Sequence, residues 1–123
     1  MTHTLMLNAA AAAALVLLGA CASSTPPPTN QMAVSNAALA HAVAAGSAEY
    51  APREMGMARE KMVRANLALA SKNNDAALDL AQQAQLDAQL AESKTETAKA
   101  RKSADALDEA SRVLREEMSR KAK

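Results

Sequence analysis

Cys21 is the only cysteine in the sequence, and it ends the tetrapeptide Leu18-Gly19-Ala20-Cys21. An apolar run, residues 9–18, comes directly before this ending. An apolar run of about 7–15 residues that closes on small residues is typical of a secretory signal. A cysteine at this point makes the pattern that of a bacterial lipobox, in which the cysteine sulfur is acylated and the chain is cut just before the cysteine. We therefore predict a signal peptide over residues 1–20, cleavage between Ala20 and Cys21, and a lipid on Cys21.

Two other interpretations of this segment are an uncleaved membrane helix and a buried structural cysteine. A membrane-spanning helix needs about 20 apolar residues, and residues 5–22 approach that length only by including Asn8 and Gly19. The residues that follow Cys21 are small, polar or proline, and they offer no core in which a cysteine could be buried. The start of the signal is its weak feature, because residues 1–8 contain no Lys or Arg.

The charges of the chain are balanced, with 14 Lys and Arg against 13 Asp and Glu. This balance argues against nucleic acid as a partner, because nucleic-acid-binding domains have a clear basic excess. Removal of residues 1–20 leaves about 103 residues, which is enough for one domain. Alanine dominates the apolar residues and Tyr50 is the only aromatic residue. The core is therefore expected to be thin and to gain stability from oligomerisation or from a partner.

A proline-rich tether is predicted over residues 21–30, before a helical domain over residues 31–123. An extended proline-rich segment rises about 3.1 Å per residue, so this tether would hold the domain roughly 25–30 Å from the acyl chains. The predicted fold class is all-α: a helical hairpin with a short N-terminal helix and a long C-terminal helix, elongated and similar to a coiled coil. The short helix is predicted over residues 31–45 and ends at Gly46-Ser47, which break the alanine-rich pattern.

The second helix has a clear start signal in Pro52, which suits the first helical position because no backbone N–H is needed there. Glu54 is placed to bond the N-terminal N–H groups in a capping box, and Tyr50 to pack on Met55 as a hydrophobic staple. After a turn, Asn74 is expected to cap the third helix.

The third helix is predicted from residue 75 to the end of the chain, without Gly or Pro, and carries two stripes with heptad spacing. The first, which we call the alanine stripe, is Ala77, Ala81, Ala84, Ala88, Ala91, Thr95 and Ala98. The second, which we call the leucine stripe, is Leu86, Leu90, Ser93, Thr97, Ala100, Ala104, Leu107, Ser111, Leu114 and Met118. We expect the alanine stripe to allow close packing on the second helix.

The far end of the leucine stripe extends past the reach of a second helix of about 20 residues. It needs cover from another chain or from the first helix. The interaction residues predicted on this stripe are Leu86, Leu90, Leu107, Leu114 and Met118. Ion pairs one helical turn apart are expected to support the end of the helix, namely Asp108–Arg112, Glu116–Arg120 and Glu117–Lys121.

Little in the sequence is suited to catalysis. His41 stands in the alanine-rich first helix without an acidic neighbour, whereas a metal site or an activated nucleophile needs several groups together. We therefore predict no catalytic residue, no metal, no cofactor and no enzyme activity. Glu92, Glu96, Lys99 and Arg101 are expected to form a solvated helix face.

Several segments resemble a bacterial family known as domain of unknown function 4398. The resemblance covers roughly residues 33–110 and is carried by residues 48–54 (Ala-Glu-Tyr-Ala-Pro-Arg-Glu), Ala58, Lys61, Met62, Ala65, Asn74, Asp75, Ala77 and residues 80–88. The resemblance implies an envelope lipoprotein and brings no catalytic residues. It also implies a link to peptidoglycan-binding domains of the outer-membrane protein A type, which the sequence itself does not contain.

The expected function is that of a non-catalytic structural or protein-interaction module of the cell envelope. In lipoproteins that this chain resembles, an Asp after the lipidated cysteine retains the protein in the inner membrane. The residue here is Ala22, so we expect the periplasmic face of the outer membrane. The expected partner is a second copy of the chain or another envelope protein, such as one with an outer-membrane protein A-like domain. The alternative is a covalent peptidoglycan tether through Lys123, resembling the major murein lipoprotein.

Overall fold

The structure is a computed structural model, and it describes residues 25–122. Within that range the chain forms four helices and no strand: α1 (Thr29–Ala44), α2 (Ser47–Tyr50), α3 (Pro52–Ala70) and α4 (Asn74–Lys121). The predicted all-α hairpin with a short N-terminal helix and a long C-terminal helix is confirmed. At 1.5 Å per residue α4 is about 70 Å long, so it sets the length of the molecule.

The end of α1 is set by Gly46. Its φ of 85° lies in the left-handed region, which glycine adopts without a clash of a side chain. The predicted break at Gly46-Ser47 is therefore confirmed. The short helix α2 was not predicted, and it forms because the N–H groups of Glu49 and Tyr50 donate to the Gly46 carbonyl at 3.0 and 3.5 Å.

The start of α3 confirms one prediction and corrects another. Pro52 occupies the first turn as expected. The capping box is wrong, because α3 has no side-chain cap bond and the Glu54 carboxylate instead lies 2.5 Å from the Lys94 ammonium of α4. A full charge on the neighbouring helix is the stronger partner for this carboxylate.

The start of α4 is capped by Asn73, not by Asn74 as predicted. The Asn73 side-chain oxygen accepts from the Ala76 N–H at 3.3 Å. Lys72 makes the preceding turn with a φ of 58°. The Asn74 side chain points back to the N-terminal segment and donates to the Thr25 carbonyl at 2.6 Å.

The core lies where α1 and α3 both pack on the alanine stripe of α4. Every stripe residue from Ala77 to Thr95 is fully buried, and Ala98 is half-buried at the edge of the packed region. The facing residues of α3 are Met55, Ala58, Met62 and Ala65, and those of α1 are Met32, Ser35 and Ala42. The second helix predicted from the sequence is α3, and its predicted packing on the alanine stripe is confirmed. Helix α1 packs on the same stripe.

Buried hydroxyl groups fix α4 against the first half of the molecule. The Ser35 hydroxyl donates to the Ala81 carbonyl at 2.7 Å. The hydroxyls of Ser47 and Thr95 lie 2.9 Å apart. Such contacts require the helix backbones to come close together, which small side chains permit.

A larger side chain in the alanine stripe should therefore weaken the fold. We expect Ala88→Leu to lower the free energy of unfolding by about 1–3 kcal/mol, because the added carbons must displace α1 or α3 from a close-packed position. Urea unfolding followed by circular dichroism measures this. The matched control is Ala106→Leu, made on the exposed part of the same helix, and equal stability losses in the two variants would contradict the packing described.

Candidate functional site

The predicted chemistry at the two chain ends lies outside the described residues. This applies to the signal peptide, to Ala20 and Cys21, and to Lys123. The nearest described residue to Cys21 is Thr25, whose hydroxyl donates to the Asp75 carboxylate at the start of α4. Residues 29 and 30, which the sequence placed in the tether, lie in α1. No helix within residues 25–122 is long and apolar enough to span a membrane.

His41 is exposed on α1, beside a shallow groove that Gln85, Gln89 and Glu92 of α4 also line. In the part of the chain that the structure describes, no three His, Cys, Asp or Glu side chains are grouped so that they could hold a metal ion. Glu92 is the acidic side chain that shares this groove with His41. The remaining candidate is a surface, the leucine stripe of α4.

The leucine stripe is exposed over its whole length. At 3.6 residues per turn, it begins on the side of α4 opposite the alanine stripe and extends about 48 Å. The five predicted interaction residues are all exposed apolar side chains: Leu86 64%, Leu90 48%, Leu107 69%, Leu114 63% and Met118 71%. Neither α1 nor α3 covers any of them.

The prediction that α1 could cover the far end of the leucine stripe is wrong. α1 packs on the first half of α4, where Gln31 Nε2 donates to Gln85 Oε1 at 2.7 Å and Ala42 shares a cluster with Ala88 and Ala91. All side chains from residue 99 to residue 122 are exposed. We call residues 101–122 the projecting tail.

Ion pairs support the projecting tail, but not the pairs that were predicted. Arg112 lies 2.6 Å from Glu109 and 3.0 Å from Glu116, and Arg120 lies 3.2 Å from Glu117. The hydrogen bonds that Arg112 donates to the Glu109 carboxylate raise the pKa of Arg112. The planar Arg112 guanidinium bonds both carboxylate oxygens of Glu109, whereas Asp108 was the predicted partner.

Charged side chains also join the helices of the body. Lys61 of α3 lies 2.6 Å from Asp87 of α4, in addition to the Glu54–Lys94 pair. Lys99, which was expected to be solvated, donates to the Ala45 carbonyl at 2.6 Å and thereby caps the end of α1. These pairs fix the rotation of α4, and with it the direction in which the leucine stripe faces.

Tyr50 packs at the junction of α1, α2 and α4. Its ring is half-buried, with the Lys99 ammonium 5.7 Å from the ring centre, a cation–π contact. Met55, its predicted staple partner, is fully buried in the core. Tyr50 therefore serves the fold at this junction.

The family of the chain follows from its helical region. A family model described as a domain of unknown function (DUF4398) matches residues 30–107. The chain belongs to the DUF4398 family. A crystal structure of a DUF4398 family protein from Pseudomonas aeruginosa PAO1 is 36% identical in sequence, with a TM-score of 0.71 over 76% of this chain and 97% of that chain. No curated protein matches the chain.

The resemblance predicted from the sequence is thus confirmed, together with the all-helical fold. The DUF4398 match ends at residue 107, whereas the leucine stripe continues to Met118. The last turns of this exposed stripe therefore lie outside the matched region.

Sequence reasoning missed the ion pairs that orient the stripe. Asp87, Lys94 and Arg101 are spaced seven residues apart, which places them along one flank of the leucine stripe. That spacing was the available signal. The α3 partners of Asp87 and Lys94 could not be assigned without knowledge of how the helices rotate against each other.

The Glu54–Lys94 pair predicts a pH dependence of stability. The hydrogen bond from Lys94 lowers the pKa of Glu54 below its usual value of 4.5, so the ionised carboxylate stabilises the folded state. We expect wild type to be more stable than Glu54→Gln above pH 4.5. This difference should disappear as the pH falls through the lowered pKa of the folded state. Urea unfolding between about pH 3 and 7 measures it.

The control is Glu60→Gln, at an exposed position of the same helix. This variant should track wild type across the range. A Glu54→Gln difference that is constant with pH would contradict the ion pair as its source.

Proposed function

We propose that this DUF4398 protein is a non-catalytic structural module of the bacterial cell envelope, anchored by a lipid on Cys21, which docks a protein partner on the leucine stripe. The observation that carries the proposal is the exposure of this stripe along about 48 Å of α4. Burial of one Leu or Met side chain stabilises a complex by about 1.5–3 kcal/mol. The five large side chains form two groups on one face of α4, Leu86 with Leu90 beside the body and Leu107 with Leu114 and Met118 on the projecting tail, and small residues join the groups.

The projecting tail supports the same proposal. Most helices in proteins are stabilised by packing of an apolar face and not by helix propensity alone. Residues 101–122 have such a face and no packing partner within the described residues. A coiled-coil contact would use the heptad spacing that the stripe already has.

The anchor supports a place in the envelope. The lipobox at Leu18-Gly19-Ala20-Cys21 gives a diacylated cysteine, and two acyl chains hold a protein stably where one is marginal. Ala22 at the next position favours the outer membrane, with the body on the periplasmic side. Thr25 contacts the start of α4, so a lipid on Cys21 would anchor the end of the body that is far from the projecting tail.

The docking role is tested with Leu107→Glu combined with Leu114→Glu. Both positions are exposed, so the fold should be unchanged by circular dichroism. We expect affinity for the partner to fall about 100-fold or more, because two buried leucines are lost from the contact. The measurement is recovery of partner by affinity purification of the acylated protein from detergent-solubilised envelopes.

The matched control is Val63→Glu combined with Leu67→Glu, at two exposed apolar positions of α3 that lie off the stripe. This control should retain the partner. Equal recovery with the stripe variant and the control would contradict docking on the leucine stripe.

The anchor is tested separately with Cys21→Ser. We expect the wild-type chain to incorporate an alkyne-labelled fatty acid and to sediment with membranes, and the variant to do neither. A variant that stays with membranes through detergent-free washing, or a wild type without label, would contradict the lipid anchor.

A further inference from the structure

We infer that the partner on the leucine stripe is a second copy of this chain, packed antiparallel along α4. This inference rests on the proposed function, in which the stripe is a docking surface. The stripe is nearly symmetric in side-chain size about residue 102. Large apolar residues lie at both ends, Leu86 and Leu90 at one and Leu114 and Met118 at the other. The middle consists of small residues apart from Leu107, which faces Thr97 of the second copy.

An antiparallel pair brings this symmetry into register. When the two-fold axis crosses the pair of helices at the level of residue 102, every stripe residue faces a stripe residue of the other copy. The layers include Leu86 opposite Met118, Leu90 opposite Leu114, and Ala100 opposite Ala104. Four large apolar side chains then meet at each end, and small ones let the helices approach at the centre.

The same register covers both exposed surfaces at once. The projecting tail of one copy lies on the first half of α4 of the other, over Leu86 and Leu90. That face is open, because α1 and α3 occupy the alanine-stripe side. Each copy therefore supplies the helix that the other lacks.

Charges along one flank of the stripe favour the antiparallel direction. Five charged residues repeat every seven positions on this flank: Asp87, Lys94, Arg101, Asp108 and Arg115. In an antiparallel pair this flank faces itself. Asp87, whose side chain is 15% exposed beside Lys61, then meets Arg115 of the second copy. Lys94 meets Asp108 of the second copy, and each of these contacts occurs twice.

One like-charge contact remains, because Arg101 of one copy lies beside Arg101 of the second copy at the two-fold axis. In a parallel pair the flank would instead face the opposite flank, which is mostly uncharged. The single attraction there joins Arg101 to Glu96 of the second copy. Lys94 is half-exposed beside Glu54, so its ammonium can also reach a second carboxylate.

The role of Arg101 gives a test whose sign depends on the direction of packing. In the antiparallel pair, Arg101→Gln removes the only repulsion, and we expect the dimer Kd to fall by about threefold or more. Asp108→Arg places like charges against Lys94 twice, and its dimer Kd should rise by about tenfold or more. Sedimentation equilibrium of the acylated full chain in density-matched detergent measures both.

A parallel pair would instead give a higher dimer Kd for Arg101→Gln and an unchanged dimer Kd for Asp108→Arg. That combination would overturn the inference. A chain that stays monomeric at every concentration would also overturn it. Glu60→Gln, on the exposed face of α3, serves as the charge control and should leave the Kd unchanged.

A photo-crosslinking side chain at Leu114, in the acylated chain in its own envelope, separates this inference from the proposed function. We expect adducts with a second copy near Leu90. They cannot be intrachain, because these residues lie about 36 Å apart on one helix. Adducts near Leu114 of the second copy, or with a different protein, would overturn the antiparallel dimer and leave the docking role standing. A crosslinker at Val63, on α3, is the control and is expected to give no specific adduct. If the crosslinker at Leu114 also gave no protein adduct, that result would overturn both the antiparallel dimer and the docking role.

Discussion

Close contact between the alanine stripe of α4 and the two helices that share it is the constraint on which the structure depends. From Ala77 to Thr95 every stripe residue is fully buried, and the Ser35 hydroxyl reaches the α4 backbone at 2.7 Å. Alanine favours helix strongly but buries little area. The fold therefore relies on proximity of backbones, on a few methionines and on partly buried leucines such as Leu80 of α4. The large apolar residues of the leucine stripe lie on the other side of α4.

That division gives α4 two faces with different roles. The inner face closes the body, and interhelical ion pairs such as Lys61–Asp87 at 2.6 Å fix its rotation. The leucine stripe is thereby directed outward, and beyond residue 100 it is carried by a helix with no neighbour among the described residues. A long helix that is apolar on its outside fits a module that completes its packing by association.

The helices and the alanine stripe could be predicted from the sequence because each has a local signal: Pro52 at a helix start, Gly46 at a helix end, and heptad spacing. Contacts between the helices could not be predicted from the sequence in this way. Glu54 has the spacing of a capping box, but its carboxylate pairs with Lys94. Lys99 was expected only to face solvent, but its ammonium also donates to the last turn of α1. Such choices depend on helix rotation, which the sequence pattern leaves open. The position of α1 was ambiguous for the same reason.

Hydrogen exchange of the acylated full chain, in dilute and in concentrated solution, tests the separation of the two faces most directly. We expect the backbone amides of residues 77–95 to exchange slowly in both the dilute and the concentrated solution. Amides of residues 104–118 should exchange fast in dilute solution and slowly in concentrated solution, as the second copy covers them. Slow exchange of residues 104–118 in dilute solution would contradict an open stripe, and fast exchange at every concentration would contradict its closure by a second copy.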